Sequence, residues 1–145
     1  MVILSVIFIL YLSLMFISII GFLRTNKPLK SEESDAFITV IIPYRNEEYR
    51  IQNLLASLES QKDISSVSKI IFVDDHSTDY TRKSINNWIL KQELNCESLF
   101  LDKHYGKKRA IDLGVQNSTS EFVMIMDADI SFKNVFFASI KKNID

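Results

Sequence analysis

The sequence predicts an α/β domain with a mostly parallel sheet, preceded by one transmembrane helix. Three observations predict it: an uncharged N-terminal stretch, four apolar runs after it, and helical patterns between those runs. The runs are continuous rather than alternating, which is typical of strands covered on both faces in a parallel sheet. The predicted element order is βαβαβαβα, and right-handed crossovers arrange such an order as an open, doubly wound sheet.

The N-terminal stretch, residues 1–23, contains no charged residue. As a helix it would be about 34 Å long, enough for a hydrocarbon core of about 30 Å. A cleaved signal peptide would have a basic start, a shorter apolar core and a small-residue cleavage site, none of which is present. Arg24, Lys27 and Lys30 follow it, so the positive-inside rule predicts an anchor in the cell membrane with the following residues on the cytoplasmic side.

Residues 24–36 are polar and predict a short tether to the domain, which we assign to residues 37–145. The predicted strands are 37–43, 68–75, 97–103 and 121–129. Side-chain oxygens that commonly cap helices precede three of the helical patterns. They predict Asn46, either Ser77 or Thr78, and Asn134 as caps.

Bulk composition excludes several classes of protein. The chain has 145 residues, room for one domain at most, with 17 basic and 18 acidic residues, which argues against a nucleic-acid-binding protein. Cys96 is the only cysteine, so no intrachain disulfide can form. Neither a P-loop nor a dinucleotide-binding fingerprint occurs. His76 and His104 lack the spacing of a zinc site, and we interpret both as polar loop residues.

Charged clusters follow each predicted strand. They are "PYRNEE" (43–48), "DDHSTD" (74–79), "KHYGKKR" (103–109) and "DAD" (127–129). Open parallel sheets bind ligands outside the carboxyl ends of their strands, so the clusters predict one site at that edge.

Asp127 and Asp129 predict a metal-and-diphosphate site. Two adjacent carboxylates repel each other unless a cation joins them, and oxygen ligands suit Mg²⁺ or Mn²⁺. A carboxylate at Asp75 could accept a hydrogen bond from a nucleobase or a ribose, and Lys107 could neutralise a diphosphate. The alternatives stay open at this point: the acid pair could be a solvated turn, and Asp79 could be a helix cap.

Four segments resemble the family-2 glycosyltransferases of the GT-A fold: "ITVIIPYRNEE" (38–48), "IIFVDDHSTDYT" (70–81), "GKKRAIDLGV" (106–115) and "FVMIMDADI" (122–130). The resemblance implies a Rossmann-like, nucleotide-binding half of that fold. It implies that a nucleotide-sugar is bound by Pro43, Tyr44, Arg45, Glu47, Asp74, Asp75, Lys107 and Asp127. Asp75 would meet the base, usually uracil, with Asp74 beside it. Asp127 would lie near the ribose or diphosphate, and Asp129 would be the more direct metal ligand.

The implied activity is transfer of a sugar from a nucleotide-sugar donor, UDP-linked, to a hydroxyl of a glycan or lipid-linked acceptor, with inversion. Mn²⁺ or Mg²⁺ would stabilise charge on the departing diphosphate, and a carboxylate base would deprotonate the acceptor. In this family that base follows the acid pair by more residues than remain before Asp145. We therefore expect residues 37–145 to be the N-terminal, donor-binding part of a longer enzyme, in which the fourth strand can lack a neighbour and expose an edge.

Two alternatives remain. The segment "IIFVDDH" (70–76) also resembles the first strand of a response-regulator receiver domain, in which Asp127 would be phosphorylated. A non-catalytic, membrane-tethered nucleotide-binding fragment is the other alternative.

Overall fold

The computed structural model describes residues 2–25 and 37–144. It contains two compact units, Met1–Lys30 and Ser31–Asp145. The described part of the first unit is a helix, and the described part of the second is the α/β domain.

Helix α1 spans Val2–Thr25, close to the predicted boundaries. Within it Ile3–Ile20 is long and apolar enough to cross a membrane, and none of this segment is buried inside the protein. The Ser13 hydroxyl donates a hydrogen bond to the Ile9 carbonyl at 2.8 Å, so this polar side chain is satisfied within the helix. Arg24 and Thr25 belong to α1, and the remainder of the predicted tether, residues 26–36, lies outside the described residues.

The second unit has the predicted alternation of strands and helices. Its elements are β1 (Ile38–Tyr44), α2 (Ile51–Glu59), β2 (Val67–Asp74), α3 (Thr81–Ile89), β3 (Cys96–Phe100), α4 (Lys107–Gln116), β4 (Phe122–Ile125) and α5 (Phe136–Ile144). The strands form one sheet in the order β3-β2-β1-β4, and every pairing is parallel. The predicted α/β class and parallel sheet are confirmed.

Strand register brings the ends of three strands to one level. Tyr44 of β1 pairs with Asp74 of β2, which pairs with Phe100 of β3. β4 ends earlier, at Ile125, which pairs with Ile41, and the Met126 amide still donates to the Ile41 carbonyl at 2.9 Å. The chain after β4 therefore continues along this edge before it reaches the acid pair.

Helices cover the two faces of the sheet unequally. The larger core cluster contains residues of α2, α3 and α5, among them Leu54, Ile85 and Phe137, packed with β1 and β2. A smaller cluster on the other face joins Ile41 and Ile71 to Ala110 of α4. All seven residues of β1 are buried, as expected for the strand that lies between β2 and β4.

Two strand predictions need correction. β3 and β4 are shorter than predicted, and β4 is not covered on both faces, because Phe122, Val123 and Ile125 are all exposed. Within the described residues β4 pairs only with β1 and so forms an edge of the sheet. This matches the expectation that the fourth strand can expose an edge.

The predicted helix caps after β1 and β2 are wrong. α2 begins at Ile51 and α3 at Thr81, with Arg50 and Tyr80 in the cap positions. Asn46 has a left-handed backbone (φ 54°), and its side chain accepts a hydrogen bond from the Thr78 amide at 2.8 Å. The Ser77 hydroxyl in turn accepts from the Asn46 amide at 3.1 Å. The residues predicted to cap two helices instead join the two loops. α5 begins at Phe136, two positions after Asn134.

Candidate functional site

A cavity of about 280 Å³ lies at the carboxyl edge of the sheet. It is lined by Pro43, Tyr44, Arg45, Glu47, Asp75, Lys107, Asp127, Ala128 and Asp129. These residues come from the ends of β1 and β2, the start of α4, and the segment after β4. The cavity therefore brings together every residue predicted for the site except Asp74.

The loop after β1 is held by side chains from the loop after β2. The amides of Glu47 and Glu48 donate to Thr81 Oγ1 at 2.8 Å and to Asp79 Oδ2 at 3.2 Å. Asp79 Oδ1 also accepts from the amide and hydroxyl of Thr81, at 3.0 and 2.6 Å. Desolvation raises the pKa of Asp79, but the hydrogen bonds from Thr81 and Glu48 outweigh it, so the pKa of this carboxyl lies below its ordinary value.

Asp74 does not line the cavity, which corrects its predicted role in donor binding. Its side chain is fully buried and accepts from the Ser77 amide (2.8 Å), the Ser77 hydroxyl (2.6 Å) and Arg82 Nε (2.6 Å). A buried carboxylate with these partners fixes the start of the β2–α3 loop. Tyr44 lines the cavity, but its hydroxyl is buried, and this burial, with the charge of Asp74 nearby, raises the pKa of Tyr44 well above its ordinary value.

Asp75, directly after β2, contacts the loop that precedes α4. Its side chain is only 6% exposed. One oxygen lies 2.6 Å from His104 Nδ1, and the carboxylate accepts hydrogen bonds from the amides of Tyr105 (2.8 Å) and Gly106 (3.0 Å to the nearer oxygen). Both oxygens already accept from the protein, so Asp75 holds the loop before α4, while its predicted contact with a base stays a prediction.

His104 does not line the cavity, but its contact with Asp75, which does, is one that the sequence analysis missed. The sequence alone predicts a polar loop residue here, because His104 lacks metal-site spacing. The sequence places it in the cluster 103–109 at the same edge of the sheet as Asp75, but nothing in the sequence pairs the two side chains.

The acid pair flanks a buried alanine. Ala128 is 4% exposed and belongs to the larger core cluster, whereas the side chains of Asp127 and Asp129 are 54% and 42% exposed. Lys107 Nζ lies 2.5 Å from Asp127 Oδ1, and Arg50 Nη1 lies 3.2 Å from Asp129 Oδ2. Each aspartate is thus paired with its own basic side chain, which relieves the repulsion expected between the two carboxylates.

Arg50 is the second residue that the sequence analysis missed. Its guanidinium also lies 2.7 Å from Glu47 Oε2, three residues earlier. That spacing at the start of a helix was the available signal, because side chains three apart are neighbours on a helical turn.

A divalent cation is compatible with the donor set. Asp127 and Asp129 line the same cavity and offer half-exposed oxygen ligands, as Mg²⁺ and Mn²⁺ require. No group of three His, Cys, Asp or Glu side chains within the described residues is arranged to hold a metal.

Comparison with known proteins identifies the family. Residues 39–142 match the family model of glycosyl transferase family 2, which covers more than half of the chain. The chain belongs to this glycosyltransferase family, and the receiver-domain alternative is set aside.

Individual relatives agree with this assignment. The chain is 31% identical over 107 residues to a dolichyl-phosphate beta-glucosyltransferase of Dictyostelium discoideum, covering 69% of this chain and 33% of that protein. It is similar to the solved structure of the mannosyltransferase PcManGT from Pyrobaculum calidifontis in complex with GDP-Man and Mn²⁺ (TM-score 0.68, 25% identity, 83% of this chain and 36% of that chain).

S. aureus TarS 1–349 in complex with UDP is also similar (TM-score 0.65, 26% identity, 73% of this chain and 31% of that chain). These likenesses confirm the predicted GT-A fold. The chain spans about a third of the length of the relatives it matches.

Proposed function

We propose that residues 37–145 are the donor-binding part of a metal-dependent, inverting glycosyltransferase that takes its sugar from a UDP-linked donor. The observation that carries the proposal is the convergence of Asp75, Lys107, Asp127 and Asp129 on one cavity at the carboxyl edge of the sheet. An acid pair and a lysine facing one small space suit a diphosphate bound through a divalent cation. Complexes of similar proteins with GDP-Man and Mn²⁺, and with UDP, support this choice of ligand.

Each side chain has a defined part in donor binding. Asp127 and Asp129 would hold Mn²⁺ or Mg²⁺, which when bound supplies Lewis-acid stabilisation of the departing diphosphate. Lys107, the first residue of α4, would add a positive charge beside the phosphates. Pro43 and Arg45 would form the wall of the nucleotide pocket. Asp75 would act by fixing the loop that presents Lys107, rather than by direct contact with the base.

The acceptor half and the catalytic base are proposed to lie outside residues 37–145. The supporting observation is that this chain spans only about a third of its relatives. An acceptor hydroxyl on a glycan or on a lipid-linked sugar is our first candidate. A lipid phosphate is a second candidate, favoured by the name of the Dictyostelium relative and by the apolar helix α1 of this chain.

α1 is proposed to anchor the enzyme in the cell membrane. Its 24 residues give a length of about 36 Å, which exceeds the hydrocarbon thickness. The basic residues at positions 24, 27 and 30 support a domain on the cytoplasmic side, as the positive-inside rule predicts. A domain held there would meet soluble nucleotide-sugars and lipid-linked acceptors at the same surface.

Calorimetric titration of the full chain in detergent with UDP, with and without Mn²⁺, tests the proposal. We expect Mn²⁺ to strengthen UDP binding in the wild type. Asp129→Asn should abolish that gain, because asparagine keeps the shape of the side chain but loses the negative charge that binds the metal. Asp102→Asn is the matched control, since Asp102 is an exposed carboxylate that does not line the cavity. An Asp129→Asn variant that keeps the full Mn²⁺-dependent gain would contradict the proposed metal site.

A further inference from the structure

Arg50 connects two carboxylates at the rim of the cavity. Its Nη2 lies 2.7 Å from Glu47 Oε2, and its Nη1 lies 3.2 Å from Asp129 Oδ2. Glu47 and Asp129 both line the cavity, and they come from the segments after β1 and β4 respectively. One guanidinium therefore joins the two loops that face each other across the site.

The two contacts of Arg50 are unequal. The Glu47 side chain is 16% exposed, and its buried Oε2 atom accepts no hydrogen bond within the described residues and has only the ion pair with Arg50, so loss of Arg50 would leave a buried charge without compensation. The Asp129 side chain is 42% exposed, and its contact with Arg50, a hydrogen bond, is longer at 3.2 Å and open to solvent. Water or another cation can replace Arg50 at Asp129 at little cost, because exposed ion pairs are weak. We therefore expect Arg50 to keep its contact with Glu47 when another group replaces it at Asp129.

We propose that Arg50 is an exchangeable counter-ion of the site. With no divalent cation bound, Arg50 neutralises Asp129. When the cation takes Asp129, Arg50 remains on Glu47 and turns its freed Nη1 toward the diphosphate of the donor. A guanidinium suits this change of partner, since its planar set of donors pairs equally well with carboxylates and phosphates. The inference rests on the proposed function, because it needs a cation and a diphosphate in this cavity.

Arg50→Gln separates this role from a structural one. Arg50 makes no side-chain capping hydrogen bond at the start of α2, so the structural cost expected from the substitution is the loss of the cation beside Glu47. We expect the full-chain variant to bind Mn²⁺ alone about two- to fivefold more tightly than the wild type, the range of an exposed ion pair. A residue with only a structural role would not tighten metal binding when it is removed.

The second expected effect of Arg50→Gln is a loss of affinity for UDP, in contrast to the gain in affinity for Mn²⁺. At saturating Mn²⁺, Arg50→Gln should bind UDP about three- to tenfold more weakly, because one exposed charge-assisted contact with the phosphates is lost. Binding of uridine, which has no phosphate, should not change. Lys133→Gln is the control for general loss of positive charge, since Lys133 is exposed, follows Asp129 closely in sequence and does not line the cavity.

The experiment measures free Mn²⁺ by electron paramagnetic resonance and UDP binding by calorimetry, for the wild type and both variants. Tighter Mn²⁺ and weaker UDP binding in Arg50→Gln, with Lys133→Gln like the wild type, would support the inference. Unchanged or weaker Mn²⁺ binding, or unchanged UDP binding, in Arg50→Gln would overturn it while leaving the proposed function intact. A wild type without Mn²⁺-dependent UDP binding would overturn the proposed function, and the inference with it.

Discussion

Replacing Asp75 by Asn tests whether this carboxylate holds the loop before α4 or forms a hydrogen bond with the base of the donor. The carboxylate accepts from two backbone amides, those of Tyr105 and Gly106, and lies 2.6 Å from His104 Nδ1. Asparagine keeps the shape and one acceptor oxygen. It removes the negative charge and turns an NH₂ group toward donors that need an acceptor.

The magnitude follows from those contacts. Hydrogen bonds to a charged group contribute about 1.5–3 kcal/mol each, against about 0.5–1.5 kcal/mol for neutral pairs. Two amide contacts that lose their charge assistance, in a side chain that is 6% exposed, should therefore cost about 1–3 kcal/mol of unfolding free energy. The same change should loosen Lys107, which follows Gly106 directly, and so weaken UDP binding as a secondary effect.

Urea unfolding followed by tryptophan fluorescence is a suitable assay. Trp88 is the only tryptophan in the chain, and it is buried against Phe72 in the larger core cluster, so its emission reports on the α/β unit. We expect Asp75→Asn to lower the urea midpoint and Asp102→Asn to leave it unchanged. An Asp75→Asn variant with wild-type stability but weaker UDP binding would refute the loop-holding role and restore direct contact with the base.

Two further predictions use the same unfolding assay. Gly114→Ala should destabilise the domain by about 1 kcal/mol, because a Cβ at this position would lie 2.5 Å from Ile41 Cγ2. Overpacking costs roughly 1–3 kcal/mol, which exceeds the gain in helix propensity of about 1 kcal/mol. An unchanged or higher urea midpoint would contradict this prediction. Asp79 has a lower pKa in the folded than in the unfolded chain, so its stabilisation is complete above the unfolded pKa and is lost as pH falls through the folded one. The stability difference between the wild type and Asp79→Asn should shrink below about pH 4, and a difference independent of pH would contradict the assignment.

The order of elements and the edge that carries the site were predictable because they depend on local pattern. Continuous β-branched runs mark β1 and β2, and parallel connectivity then places the following loops at one edge. Most of the predicted site residues line one cavity for that reason.

Contacts between distant segments were not predictable. Asn46 is a residue type that often caps helices, but its side chain accepts a hydrogen bond from the Thr78 amide, in a loop more than thirty residues later. Asp74 and Asp75 are adjacent in sequence, and only the fold determines that one meets Arg82 and the other meets His104. The exposure of β4 depends on which strands flank it, and the apolar composition of the strand does not indicate its neighbours.

The central claim is that Asp127 and Asp129 hold one divalent cation together with the donor's diphosphate. A crystal structure of the protein with UDP and Mn²⁺, with anomalous diffraction recorded for manganese, tests it most directly. The account predicts one anomalous peak in the cavity, within coordinating distance of the Asp129 carboxylate and of both phosphates. Nucleotide bound elsewhere, or a manganese peak remote from both aspartates, would contradict it.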